Sequence, residues 1–252
     1  MFKLARTISF SLITLLLSCH SMLCRAEGDV ETLIFYDDFP PFCYLDDGQL
    51  KGLFIDVVTA IFDDMGGAYE TKSYPIKRAL LSASKGQGIV VGILRNEERQ
   101  KIFDYSSSFY IEKRMLFVSK GHIFPFSSVN DLKGKRVGVK LGWSYGSKFD
   151  QAKNIQLFTP VVGETKQLYT LLKTGRLDTV VGNELSVPSL TKVMNYPVQI
   201  EALPTPLLEA DLYIAAKKGT KVELIEKFNN HMAQIKVNGV YKDILKKYNR
   251  IN

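Results

Sequence analysis

Short runs of β-branched or aromatic residues alternate along this chain with stretches whose apolar positions fall at helical spacing. Leu33-Ile34-Phe35-Tyr36 and Ile89-Val90-Val91 are continuous apolar runs of strand length, the pattern of buried strands. Between them Ile55, Val58, Phe62 and Met65 recur every three or four residues and stop at Gly66-Gly67, as a helix with a glycine C-terminal signal does. Phe39-Pro40-Pro41-Phe42 closes the first strand, because proline cannot continue a central strand, and Asp46-Asp47-Gly48 reads as a polar hairpin tip. Pro75 to Ser84 predicts a second helix with Pro75 in its first turn.

The same alternation continues beyond residue 115. Asp131 to Lys135 leads into a strand over Arg136 to Lys140, and the turn Leu141 to Gly146 opens another helix. Leu168, Leu171 and Leu172 share a helical face that Gly175 terminates, and Thr179 to Val181 is a further buried strand with Asn183 and Glu184 at its end. Tyr213 to Ala216 reads as a returning strand before a terminal helix carrying Val222, Ile225, Phe228 and Met232. Strands alternating with helices predict an α/β architecture with mostly parallel sheet. Open sheets of this kind bind ligands at the carboxyl ends of their strands. The polar turn after Ile89-Val90-Val91 carries Arg95 and Arg99 to such an end, a place to hold an anion.

The first 26 residues change the picture of the rest. Lys3 and Arg6 precede an apolar stretch from Ile8 to Leu17, and Cys24-Arg25-Ala26 has small residues at the two positions a signal peptidase reads. This is the pattern of a secretory signal peptide, too short in its apolar core for a comfortable membrane span. The alternative is Leu16-Leu17-Ser18-Cys19, a lipoprotein-type site that leaves Cys19 acylated. Cleavage after Ala26 leaves 226 residues and lowers the net charge from +7 to +4, since the leader holds three cations and no acid. The remaining bases are interspersed with acids rather than blocked together, which argues against nucleic acid as a partner. Cys43 is then the single cysteine, so no intrachain disulfide forms despite an oxidising destination, and a soluble periplasmic monomer is expected.

Catalytic and metal chemistry is not evident. His122 and His231 have no neighbours at metal-ligand spacing, there is no Gly-x-Ser-x-Gly elbow, and Cys43 has no histidine partner to nominate. Asp37-Asp38 and Asp46-Asp47 are most simply turn residues. No cofactor is expected, and the chain reads as a non-enzyme.

Glu98-Arg99, then Asp104-Tyr105-Ser106, then Phe109-Tyr110 resembles the "ER…DFS…PY" signature of bacterial extracellular solute-binding proteins of family 3, the periplasmic receptors of polar amino-acid ABC transporters. Asn238-Gly239-Val240-Tyr241 resembles the "NG-x-Y" tail of that family, and the resemblance runs in order along nearly the whole chain past the leader. It implies a two-lobed periplasmic binding protein fold, type II-like, with a ligand cleft between lobes that are each a mostly parallel sheet flanked by helices. The chain would contribute 27–110 to lobe one, 111–210 to lobe two and 211–252 to lobe one again. The implied function is capture of a small carboxylate-bearing solute by lobe closure and delivery to the membrane subunits of an ABC transporter. The alternatives are an enzyme on the same scaffold, such as a periplasmic dehydratase, and a receptor for a membrane signalling protein.

The resemblance also implies a site. Arg99 would grip the ligand carboxylate as a bidentate pair, geometry that lysine does not supply. Phe39 of the aromatic-x-Pro-Phe turn would lie against the ligand with Tyr36 beside it, while Phe42 belongs to the core. Arg78 sits in a P-x-x-R-A variant of the family and would point to the cleft; Arg95 has no counterpart there and is open between a second anion contact and a surface charge. In lobe two, Lys140 and the turn to Tyr145 would present Ser144 and backbone donors at a helix N-terminus, with Trp143 or Tyr145 walling the cleft. Two departures bear on the ligand. Asn183 stands where amino-acid receptors carry an aspartate for the α-ammonium, and Leu94 stands where they often carry a threonine. Either Glu184 supplies the missing charge, or the ligand lacks the ammonium.

Overall fold

The computed structural model describes residues 30–185 and 199–249. The expected leader and the lipid-site alternative at Cys19 lie outside them. Strand β1 (Glu31–Tyr36) buries its last four residues and is followed by a small antiparallel sheet of β2 (Asp38–Phe39), β3 (Cys43–Asp46) and β4 (Gln49–Lys51). Asp47 and Gly48 at its tip both have positive φ, 49° and 74°, the conformation that a two-residue hairpin matched to strand twist requires. Helix α1 (Leu53–Asp64) buries Leu53, Phe54, Val57, Val58, Ile61 and Phe62, the stripe its spacing predicts.

Strand β5 (Tyr69–Tyr74) is polar and half exposed, and pairs only with β1; as a sheet edge it lacks the apolar run that marks a central strand. Helix α2 (Ile76–Ser84) starts one residue later than expected, with Pro75 capping it from outside at ψ 142°. Strand β6 (Ile89–Ile93) is buried throughout, and the single-turn helix α3 (Glu97–Gln100) and short β7 (Phe103–Tyr105) follow. A ten-residue strand, β8 (Tyr110–Ser119), then leads to β9 (Arg136–Val139), α4 (Ser147–Asn154), β10 (Thr159–Val162), α5 (Thr165–Lys173) and β11 (Thr179–Asn183). Strands β12 (Ile200–Ala202) and β13 (Leu208–Lys217) precede the terminal helices α6 (Val222–Val237) and α7 (Val240–Asn249).

One sheet runs β10-β9-β11-β8-β13-β6-β1-β5. Its two ends are parallel, β5-β1-β6 on one side and β10-β9-β11 on the other. The long antiparallel strands β8 and β13 join them. Strand β13 pairs with β8 over Leu208–Leu212 and with β6 from Tyr213 onward, so it changes partner midway. The β6–β13 register shifts between Tyr213 and Ile214, close to Gly92, whose φ is 79°. A Cβ at Gly92 would meet the Phe54 ring at 2.7–2.8 Å, so the kinked strand lies against the helix with no room for a side chain. The main core spans both sides of the sheet, and a satellite of Phe117, Leu168, Tyr169, Leu172, Leu177 and Val180 lies under α5. Among the described residues no helix is long and apolar enough to cross a membrane.

Candidate functional site

The ends of β1, β6, β9 and β11 converge, as the strand polarity of an open α/β sheet dictates. The β1 end supplies Tyr36, Asp37, Asp38 and Phe39; β6 supplies Leu94 and Arg95, with Arg99 on α3; β9 supplies Lys140 and the turn that carries Trp143; β11 ends in Asn183. Trp143 sits at the centre and is 8% exposed. Its ring lies 4.4 Å from that of Phe39, edge-on at 67°, and 5.6 Å from that of Tyr36. The Arg114 guanidinium and the Lys140 ammonium approach it at 5.4 and 5.3 Å. The indole thus divides the cleft. On one side is a chamber of about 410 Å³ bounded by Tyr36, Asp38, Lys77, Lys140 and Glu164, and on the other a wider one of about 950 Å³ bounded by Leu94, Arg95, Arg99 and Ser144.

Arg99 is placed by its own local structure. The Asn96 side chain accepts from the Arg99 N–H at 2.8 Å and caps the short helix, and Arg99 Nη1 donates to the Leu94 carbonyl at 3.2 Å. No carboxylate among the described residues pairs with this guanidinium. The hydroxyls of Tyr36 and Tyr105 are buried and have no hydrogen-bond partner. Burial pushes both phenols up, Tyr105 to about 12, and the Arg99 charge acts on each in the opposite sense. Both hydroxyls remain protonated donors at neutral pH.

Lys140 and Asp38 meet on the other side of Trp143. The ammonium is 2.7 Å from Asp38 Oδ2, donates also to the Asp38 carbonyl, and reaches Thr165 Oγ1 at 3.1 Å. The same Oδ2 accepts from Thr165 Oγ1 at 2.9 Å and from the Thr165 N–H at 3.2 Å, at the start of α5. Burial acts to raise the Asp38 carboxyl, but the Lys140 charge and hydrogen bonds from Lys140, Glu164 and Thr165 outweigh it and hold the group below the ordinary carboxylate range. The hydrogen bond to Asp38, then burial, raises Glu164 above the ordinary carboxylate range.

A fully buried ion pair completes the wall. Glu112 and Arg114 on β8 are 1% and 3% exposed; Glu112 Oε2 accepts from Arg114 Nε at 3.0 Å and Nη2 at 2.9 Å. Arg114 Nη1 donates to the Ser144 carbonyl, and its plane lies 5.0 Å from the Tyr145 ring. With Phe39, Trp143 and Asn183 the pair lines a small cavity of about 30 Å³. Among the described residues no group of three or more His, Cys, Asp or Glu is placed to hold a metal ion.

The sequence profile of bacterial extracellular solute-binding proteins, family 3, matches residues 32–251. The chain belongs to this family. It is 26% identical over 216 residues to the L-cystine-binding protein of Escherichia coli K12, covering 83% of this chain and 79% of that protein. It is 26% identical over 251 residues to an arginine-binding extracellular protein of Bacillus subtilis 168, covering 97% and 94%. Among solved structures it resembles an ancestral arginine-binding protein bound to arginine, with a TM-score of 0.75 and 28% identity over 87% of this chain and 97% of that one. The architecture is accordingly the two-lobed periplasmic binding protein fold of the family.

Within this family fold, the anticipated residues separate into two groups. Tyr36, Phe39, Leu94, Arg99, Lys140, Ser144 and Asn183 line the cleft or its cavities. Arg78 is exposed and lies over the Tyr74 ring at 4.2 Å; its neighbour Lys77 is the residue of α2 that lines both chambers. Glu184 is exposed, one residue past the end of β11, and Asn183 lines the cavity without it. The Ser144 hydroxyl is committed to Asp150 at 2.5 Å, and Asp150 also takes the Tyr145 N–H, so Asp150 fills part of the donor set at the start of α4. Sequence reading missed Asp38, Glu112, Arg114, Thr165 and Tyr105. Only Tyr105 left a signal, a tyrosine where the family signature has phenylalanine.

Proposed function

We propose that this protein is a periplasmic receptor that encloses a small carboxylate-bearing solute, an amino acid or a related compound, between two lobes and hands it to the membrane subunits of an ABC transporter. The observation that carries this reading is Arg99, a half-buried guanidinium on the cleft wall with one backbone acceptor and no carboxylate partner among the described residues. A ligand carboxylate completes its hydrogen bonding. The relatives named above bind cystine or arginine, and the family consists of solute-binding proteins rather than enzymes. The lobes divide where β13 exchanges β8 for β6, so that closure bends the chain at 110–114 and 210–214. Residues 1–26 direct export and are then removed, leaving a soluble monomer with the buried Cys43 as its one thiol.

A thermal-shift panel of the standard L-amino acids and simple organic acids identifies the tightest probe, and calorimetry on Arg99→Ala and Arg99→Lys tests the site with it. Losing one partner of a desolvated, hydrogen-bonded pair costs about 2–5 kcal/mol, a fall in affinity of roughly 30-fold to several thousand-fold. Little change in melting temperature is expected. Wild-type affinity in Arg99→Ala removes Arg99 from the site and with it this reading.

A further inference from the structure

The wider chamber holds more positive charge than one carboxylate uses. Arg95 lines it beside Arg99, and its guanidinium is held between two aromatic faces, 4.9 Å from the Tyr105 ring centroid and 4.6 Å from that of Tyr213. An exposed arginine ordinarily sweeps through solvent; two rings fix this one in place with its N–H edge left unpaired. Neither arginine forms an ion pair among the described residues, and Lys77 adds a third cation on the facing helix. The acids in the same wall do not cancel them. Asp150 is engaged by Ser144, Tyr145 and, at 3.9 Å, Lys153, while Glu97 and Glu98 are exposed in the first turn of α3 and pair with neither arginine. The hydroxyls of Tyr36 and Tyr105 are buried without a partner, and the Arg99 charge acts on both.

Asn183 and the Glu112–Arg114 pair line the separate small cavity and add no acid to this chamber. Along the chamber itself the cations Lys77, Arg95, Arg99 and Lys153 outnumber the acids Glu97, Glu98 and Asp150. Resting on the receptor reading above, we propose that the solute carries two anionic groups, one held by Arg99 and the second by Arg95: a short dicarboxylate or an acidic amino acid. Tyr105 serves this site through its ring, which with Tyr213 positions Arg95. Arg95 lies just before the N-cap Asn96 and Arg99 on the short helix that follows, so one loop presents both guanidinium groups to the chamber.

Calorimetry with L-glutamate, succinate, L-glutamine and L-arginine tests this on the purified protein. Glutamate and glutamine have nearly the same shape and differ by one charge, so their ratio reads the second anion contact directly. Either diacid binds at least about tenfold more tightly than glutamine in the wild type, a charge-assisted hydrogen bond against a neutral one. Arg95→Gln brings that ratio close to one, and Arg95→Lys, which keeps the charge without the planar fork, restores part of it. Glutamine or arginine binding as tightly as both diacids overturns the proposal, as does a ratio unchanged in Arg95→Gln, or no binding by any of the four. Tight binding of glutamine or arginine that is lost in Arg99→Ala overturns the diacid while leaving the receptor site standing. A diacid preference that survives Arg99→Ala instead removes the site itself.

Discussion

The Lys140 ammonium at the end of β9 lies 2.7 Å from the Asp38 carboxylate just past the end of β1, joining two strands that belong to opposite ends of the sheet. The pair is mostly buried, and Thr165 satisfies the same carboxylate oxygen from the start of α5. The protein's own side chains thus fasten the cleft, which makes closure a property of the chain as well as of its ligand.

Removing the fastening opens the cleft. Lys140→Ala or Asp38→Asn loses a hydrogen bond between charged groups, on the order of 1.5–3 kcal/mol at a partly buried site. The expected outcome is a larger radius of gyration of the ligand-free protein by small-angle scattering. Identical scattering from wild type and both variants contradicts it.

The same pair has a defined pH profile. Asp38 has a depressed folded pKa, so its contribution is full above the ordinary aspartate value of about 3.9 and is lost as pH falls through the depressed value. Glu164 has a raised one, so its contribution is full below the ordinary glutamate value of about 4.3 and is lost as pH rises through the raised value. The stability difference between wild type and Asp38→Asn therefore peaks between these limits. It falls away on the acid side and declines partway on the alkaline side, where the Lys140 contact persists. Urea unfolding across this range measures it, and a flat difference excludes the opposed shifts of Asp38 and Glu164.

Trp143 is the chain's one tryptophan and reports on the cleft directly. Packed against Phe39 and 8% exposed, it should emit as a buried indole in the free protein and shift to the red in Lys140→Ala as the lobes separate. Emission like that of free tryptophan in the wild type shows that the ring does not rest on Phe39 in solution.

Glu112→Gln leaves Arg114 buried and charged without its carboxylate. Breaking a buried pair from one side costs about 3–5 kcal/mol, whereas replacing both partners with apolar residues of similar volume is nearly neutral or stabilising. Denaturant unfolding of Glu112→Gln beside a Glu112→Met, Arg114→Met double variant checks both halves. A loss below about 1 kcal/mol in the single variant means that the Ser144 carbonyl and the aromatic rings suffice for Arg114.

Gly92→Ala places a methyl at positive φ and against the Phe54 ring, at a cost of about 1–3 kcal/mol. Because the kinked strand delivers Leu94, Arg95 and Arg99, solute affinity should fall along with melting temperature. Unchanged values for both show that β6 accommodates the methyl.

Elements that bury a regular stripe or a continuous run were legible from composition alone: β1, α1, β6, α5 and α6 all follow their apolar spacing. Strands β5, β10 and β12 were not, because they are short or sit at sheet edges, where one face and one side need no apolar residue. Arg99 was legible as a candidate because its placement is local: a strand, a cap and a short helix adjacent in sequence position it.

The pairs that wall the cleft are the opposite case. Asp38 and Lys140 are 102 residues apart, and Asp38 in isolation is an ordinary turn aspartate. Glu112 and Arg114 look like an exposed alternating strand until the turn carrying Ser144, Trp143 and Tyr145 packs over them, after which each charge requires the other. Sequence by itself determined the buried strands and amphipathic helices along the chain and the guanidinium at a strand end, since those depend on neighbours within a few residues. Tertiary structure alone decided which charges are desolvated and which face each other, because the energy of a charge depends on how much water remains around it, and distant parts of the chain set that.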